Sequence, residues 1–186
     1  MAERFSQKNL RVRPSSDEDK IVTKAKEHFE KTLVEISGEL VGSVAALEHP
    51  TKNKKLNYGE IFLRDNVPVM IYLITQKRYE IVKKFLSVCL ELQSTSYQTR
   101  GVFPTSFIEE NGELIGDYGQ RSIGRITSAD ASLWWPILCW FYVKKSGDHS
   151  FGKSQSVQRG IQLLLDLVLH PTLEGTPVLF VPDCAF

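Results

Sequence analysis

The chain has 186 residues, 42% of them hydrophobic and 24% charged, with a formal net charge of +1. That is enough apolar mass for one buried core. The near-neutral balance, with no like-charge block beyond "KNKK" (Lys52 to Lys55), excludes the basic stripe that nucleic-acid binding needs. No apolar run reaches the roughly 18–20 residues that span a membrane.

Residues 1–16 read as a polar arm, too polar for a secretory signal, and a cytoplasmic setting is expected. From Asp17 the apolar residues Ile21, Ala25, Phe29, Leu33, Ile36, Leu40 and Val44 recur at steps of four and three. This spacing predicts one long amphipathic helix, with "SSDED" supplying a cap and an acidic first turn. A second helix is expected to begin at Pro68, which suits a first helical turn, and to run to about Gln76.

A third helix follows almost at once, with Tyr79, Val82, Phe85, Cys89 and Leu92 on one face. Then comes a long segment from Ser94 to Ser132, in which Asn111-Gly112 sits between two short apolar runs and predicts a β-hairpin. A fourth helix holds "LWWPILCWFYVKK", with Pro136 near its start or kinking it, and stops before Gly147. A fifth carries Val157, Ile161, Leu164 and Val168 and stops at "HP". Helices one, three and five are followed by long connections, two and four by short ones. If the path alternates up and down, the long connections gather at one end, bringing together "LRDNVP", the hairpin, "GQRSIGRITSAD" and "PVLFVPD".

Those stretches carry the polar chemistry. Arg64 and Asp65 lie between "IFL" and an apolar run, where charge is costly unless it is paired or used. They read either as an internal ion pair with Asp65 capping the turn at Asn66-Val67, or as a donor fork and double acceptor for the vicinal hydroxyls of a sugar. "GDYGQRSIGRITSADASLWW" sets Asp117, Gln120, Arg121, Arg125 and Asp130 beside Trp134 and Trp135. Carboxylates and amides suit sugar hydroxyls, and an aromatic plane suits a C–H face. Equally, Asp117 reads as a hairpin terminus, Asp130 as a first-turn helix acid and the tryptophans as core.

Other chemistries fail on spacing. "GDYGQRSIG" lacks the Gly-Lys-Ser/Thr ending of a phosphate loop, and the four histidines show no metal-ligand spacing. No G-x-S-x-G nucleophile elbow occurs. Cys89 and Cys139 fall on apolar helical faces and read as reduced core thiols.

"NYGEIFLRDNVP", "TRGVFPTSF", "DYGQRSIGRITSADASLWWPILCWFY" and "PVLFVPDCAF" closely resemble the neutral/alkaline invertases of cyanobacteria and plants, glycoside hydrolase family one hundred. The resemblance covers essentially residues 17 to 186. It implies an all-α fold, an (α/α)6 toroid with the sugar pocket at one end, of which residues 17–186 are the N-terminal part: its first five or so helices plus the hairpin. It implies cytosolic hydrolysis of sucrose to glucose and fructose with no metal or organic cofactor. Carried over by position, Arg64 and Asp65 grip hydroxyls of the glucosyl unit, and Gln120, Arg121, Arg125 and Asp130 line the same pocket. Trp134 or Trp135 forms its aromatic wall.

Family members run to well over twice this length, so the chain is expected to be a portion that lacks one or both catalytic carboxyls. Asp130 is the candidate catalytic carboxyl within the chain, with Asp183 behind it, and the reading favours Asp130 as a substrate-binding acid. A homo-oligomer is expected, and a non-catalytic sugar-binding or helical interaction module is the alternative.

Overall fold

The computed structural model describes residues 16–44, 58–97, 99–119 and 129–169. Two compact units divide the chain between Lys31 and Thr32. The first unit contributes most of helix α1, Ser16–Thr32, whose first turn holds Asp17, Glu18 and Asp19 against the positive helix end. Ile21 and Val22 on it are 68% and 51% exposed, so its apolar residues are not core within their own unit.

The helix does not continue to Val44. It ends at Thr32, and strands β1 (Leu33–Ile36) and β2 (Glu39–Ser43) form an antiparallel hairpin. Ser37 and Gly38 both take positive φ, 52° and 79°, the two-residue turn whose twist matches paired strands. Leu33, Ile36, Leu40 and Val44 fit helical steps only by coincidence. What reaches the core is Ile36 on β1, Val41 on β2 and Val44 just beyond it.

Strand β3 (Ile61–Phe62) runs directly into helix α2 (Leu63–Thr75). The helix thus starts five residues ahead of the expected Pro68, because Leu63 N–H donates to the Thr105 carbonyl at 2.9 Å and anchors the first turn on a sheet. Pro68 lies inside the helix, where it has no N–H to offer the carbonyl of Arg64. Helix α3 (Tyr79–Glu91) forms as its apolar spacing predicts, burying Val82, Phe85 and Cys89.

The expected hairpin is present. Strands β4 (Ser106–Glu110) and β5 (Glu113–Asp117) pair around Asn111 and Gly112, at φ 54° and 81°. β3 joins the other edge of β4 to give the order β3-β4-β5. The hairpins are tied together where Ser37 N–H and Oγ donate to the Glu109 carboxylate at 3.3 and 3.2 Å.

Helix α4 (Ala129–Ser146) packs on α2 and α3 and holds Pro136 in its interior. A short helix α5 (His149–Gly152), capped by Asp148, fills the expected short connection before α6 (Gln155–Val168), which Ser154 caps. Tyr79, first in α3, donates its hydroxyl to the Lys145 carbonyl near the end of α4 at 3.1 Å. α3 is therefore antiparallel to α4, and α2 and α4 begin at the same end. The chain between α3 and α4 returns to that end: Thr105 receives Leu63 N–H, and Phe103 N–H donates to Ser132 Oγ at 3.0 Å. The gathering of loops is thereby met for "LRDNVP" and the hairpin; residues 120–128 of "GQRSIGRITSAD", and "PVLFVPD", lie outside the described residues.

The architecture is thus mostly helical with small antiparallel sheets. Along α4, Leu133, Trp134, Ile137 and Trp140 are 46%, 37%, 53% and 60% exposed, an apolar face beside a buried one. Among the described residues no helix is long and apolar enough to cross a membrane.

Candidate functional site

Arg64 and Asp65 are the second and third residues of α2, and Asp130 is the second of α4. Because both helices begin at the same end, these first turns meet. Arg64 Nη1 lies 3.4 Å from Asp130 Oδ1, and the side chains are 39% and 45% exposed. Asp65 is exposed beside them. The pair is not sealed in dry core, so its groups remain able to exchange partners with a hydroxylated ligand.

The cap reading of Asp65 does not hold. The N-cap of α2 is Phe62, without a side-chain cap bond, and Asp65 lies within the first turn. There its charge complements the helix dipole while its oxygens stay in water.

One turn on from Asp130 is Trp134, partly exposed. Trp135 is the core member of the pair. It is fully buried, stacks on Phe103 with centroids 4.8 Å apart and planes at 16°, and donates Nε1–H to the Leu86 carbonyl at 3.1 Å. Trp135 is thereby removed as an aromatic wall, because adjacent helical residues point about 100° apart and only one can face the core. Gln120, Arg121, Arg125 and Asp183 lie outside the described residues.

Asp117 ends β5 as the hairpin reading expects. It is almost fully buried and accepts the Gly119 N–H at 3.0 Å, where Gly119 turns the chain at φ 100°. A second buried carboxylate escaped the sequence reading: Glu60, just before β3, accepts from Ser106 Oγ at 2.6 Å. Asn66 also went unassigned. Its side chain, 1% exposed, bonds to Ser43 and Phe62. A polar residue inside an apolar run was the available signal, but its partner lies 23 positions upstream, in a segment expected to be helical.

At the opposite end, Asp148 gathers Lys83 Nζ at 2.8 Å, Ser150 Oγ at 2.6 Å, Phe151 N–H at 3.0 Å and Tyr142 OH at 3.1 Å. Lys83 above all, then Ser150 and the Phe151 amide, hold the Asp148 carboxyl well below the usual carboxylate range. Burial, then the Asp148 hydrogen bond, pushes Tyr142 up to about 12. Asp148 caps α5 through Phe151 N–H and ties it to Lys83 of α3 and Tyr142 of α4, so this end is a structural clasp. Burial also pushes the Cys89 thiol well up and Cys139 up to about 11, which suits inert core thiols. Among the described residues no three His, Cys, Asp or Glu side chains gather as a cation site.

Residues 25–186 match the family described as alkaline and neutral invertase. Among individual proteins, the chain is 32% identical over 186 residues to Alkaline/neutral invertase CINV2 of Arabidopsis thaliana, covering 94% of this chain and 33% of that protein. It is 33% identical over 184 residues to Probable alkaline/neutral invertase F of the same plant, covering 92% and 37%. It is 35% identical over 191 residues to Neutral/alkaline invertase 1, mitochondrial, of Oryza sativa subsp. japonica, covering 94% and 30%. The chain spans about a third of the length of these relatives.

Proposed function

As this chain belongs to the alkaline and neutral invertase family, we propose that it forms the sugar-gripping part of a glycoside hydrolase that splits sucrose into glucose and fructose with inversion. In such a reaction a carboxylic acid protonates the glycosidic oxygen while a carboxylate activates the attacking water. The two carboxyls stand about 6.5–9.5 Å apart to admit that water. The acid needs a raised pKa, as burial among aromatics would supply.

Within this chain Arg64 and Asp65 bind hydroxyls of the glucosyl unit, joined by Gln120, Arg121 and Arg125. Trp134 covers the ring's C–H face. Asp130 is the candidate catalytic carboxyl within this chain. Its carboxylate oxygen faces the Arg64 guanidinium, so Asp130 serves as acceptor for a substrate hydroxyl rather than as proton donor. The observation that supports the reading is the meeting of Arg64 and Asp130, half-exposed, at the shared start of α2 and α4.

We further propose the (α/α)6 toroid as the complete architecture, with additional helices against the exposed face of α4, and a cytosolic, homo-oligomeric enzyme. A second reading is a sugar-binding module without turnover, in which the half-exposed Arg64–Asp130 pair holds hydroxyls and does no chemistry. Calorimetric titration with sucrose and glucose, run beside a sucrose-hydrolysis assay, tests both. Binding that is lost in Asp65→Ala and Asp130→Ala supports the sugar site, and turnover separates enzyme from module. A folded sample that gives no heat with either sugar ends both readings.

A further inference from the structure

We propose that Asn66 is a positioning residue for the sugar site, clamping the turn of α2 that carries Arg64 and Asp65 onto the β1–β2 hairpin; this rests on the sugar-site reading above. Asn66 follows Asp65 directly but points the other way, into the interior, where 1% of it is exposed. Its Oδ1 accepts Ser43 N–H at 2.8 Å and lies 3.4 Å from Ser43 Oγ. Its Nδ2 donates to the Ser43 carbonyl at 2.9 Å and to the Phe62 carbonyl at 2.8 Å. One primary amide thus meets both backbone groups of the last β2 residue and the carbonyl of the α2 N-cap.

The amide acts as a peptide group would, adding a rung to the edge of β2 from a side chain. Both of its N–H donors and its oxygen are engaged, so its rotamer is fixed, and with it the rotation of the α2 first turn about its axis. Other side chains do not replace it. Aspartate cannot donate to the two carbonyls, and glutamine is one methylene too long for a site this close.

Room for the clamp comes from Gly42. A Cβ there would stand 2.8 Å from Ile61 Cγ2 and 3.0 Å from Asn66 Oδ1. The hairpin approaches α2 closely enough to be bonded only because that position is bare. The consequence for the site is geometric: Arg64 and Asp65 precede Asn66 on the same helical turn and share its orientation. Groups that bind a sugar hydroxyl need placement within about 0.5 Å.

The test is sucrose titration of Asn66→Ala, Asp65→Asn and the double variant. Asp148→Ala, at the opposite end of the helices, serves as a control for general loss of stability. Asn66→Ala is expected to weaken binding at least about tenfold, as loss of an orienting partner does elsewhere. In the double variant the loss should fall short of the product of the single losses, because Asn66 acts through its neighbours. Asp148→Ala should bind sucrose as the unchanged protein does. Should Asn66→Ala fail to fold, Asn66→Ser keeps a small hydroxyl able to donate to the Phe62 carbonyl one turn back while losing the tie to Ser43, and the same weakening is expected.

Unchanged affinity in a folded Asn66 variant, multiplicative losses, or equal weakening by Asp148→Ala would each overturn the proposal while leaving the sugar site standing. No sucrose binding by the unaltered protein overturns both.

Discussion

Trp134 and Trp135 are neighbours in sequence with opposite fates: the first is 37% exposed, the second is sealed against Phe103. Trp135→Ala removes a buried indole, its stacking on Phe103 and its bond to Leu86, and should cost about 3–5 kcal/mol of stability. Trp134→Ala should change stability by about 1 kcal/mol or less but weaken sucrose binding. Denaturant unfolding beside calorimetry separates the two effects.

The Arg64–Asp130 pair is half in water, which screens it, so its net worth to folding is about 0–1 kcal/mol. Arg64→Ala and Asp130→Ala should therefore melt close to the unaltered protein while losing sugar affinity. A melting temperature that collapses in either variant would make the pair structural instead.

Gly101 presses its backbone against α6 at φ 94°, and an added Cβ would lie 2.5 Å from the Leu163 carbonyl oxygen. Neither strain nor clash can be relieved by a side-chain rotation, because the obstacle is backbone. Gly101→Ala should lose roughly 1–3 kcal/mol to conformational strain alone, read as a lower denaturant midpoint.

The Asp148 clasp gives stability a pH dependence of known sign. Its carboxyl is held below its unfolded value, so the folded state prefers the carboxylate. The contribution is fully present above the unfolded pKa of about 3.9 and fades as pH falls from there toward the folded value. Asp148→Asn should lower stability near neutrality and flatten the acid limb of a plot of unfolding free energy against pH. An acid limb unchanged by the substitution would show that Lys83 and the α5 amides do not stabilise the charge.

What could be read from the sequence was whatever local pattern decides. The apolar spacing of α3 and the Asn111-Gly112 turn both act over a few residues, and both formed as expected. The β1–β2 hairpin was lost because its turn uses a serine at positive φ, and because its core residues happen to mimic helical steps. Strand β3 has two residues and exists only as the partner of β4, 45 positions later, so no local signal could announce it. With β3 unseen, the start of α2 was misplaced onto Pro68.

The site divides in the same manner. Arg64, Asp130 and Trp134 stood out as charged or aromatic residues in unexpected company. The contact of Arg64 with Asp130 across 66 positions depended on the parallel starts of two helices, which the alternation of loop lengths anticipated. Asn66 did not stand out because its partner Ser43 is on β2, read as helix, and Glu60 because β3, which brings it to Ser106, was not foreseen.

The bare Cα of Gly42 links positions 42, 61 and 66 into one unit of permissible variation. A descendant sequence that gains a methyl group at 42 has to trim the branch of Ile61 or abandon the amide of Asn66 in the same lineage. Substitutions at these three places are therefore expected to depend on one another, although 23 residues lie between the first and the last.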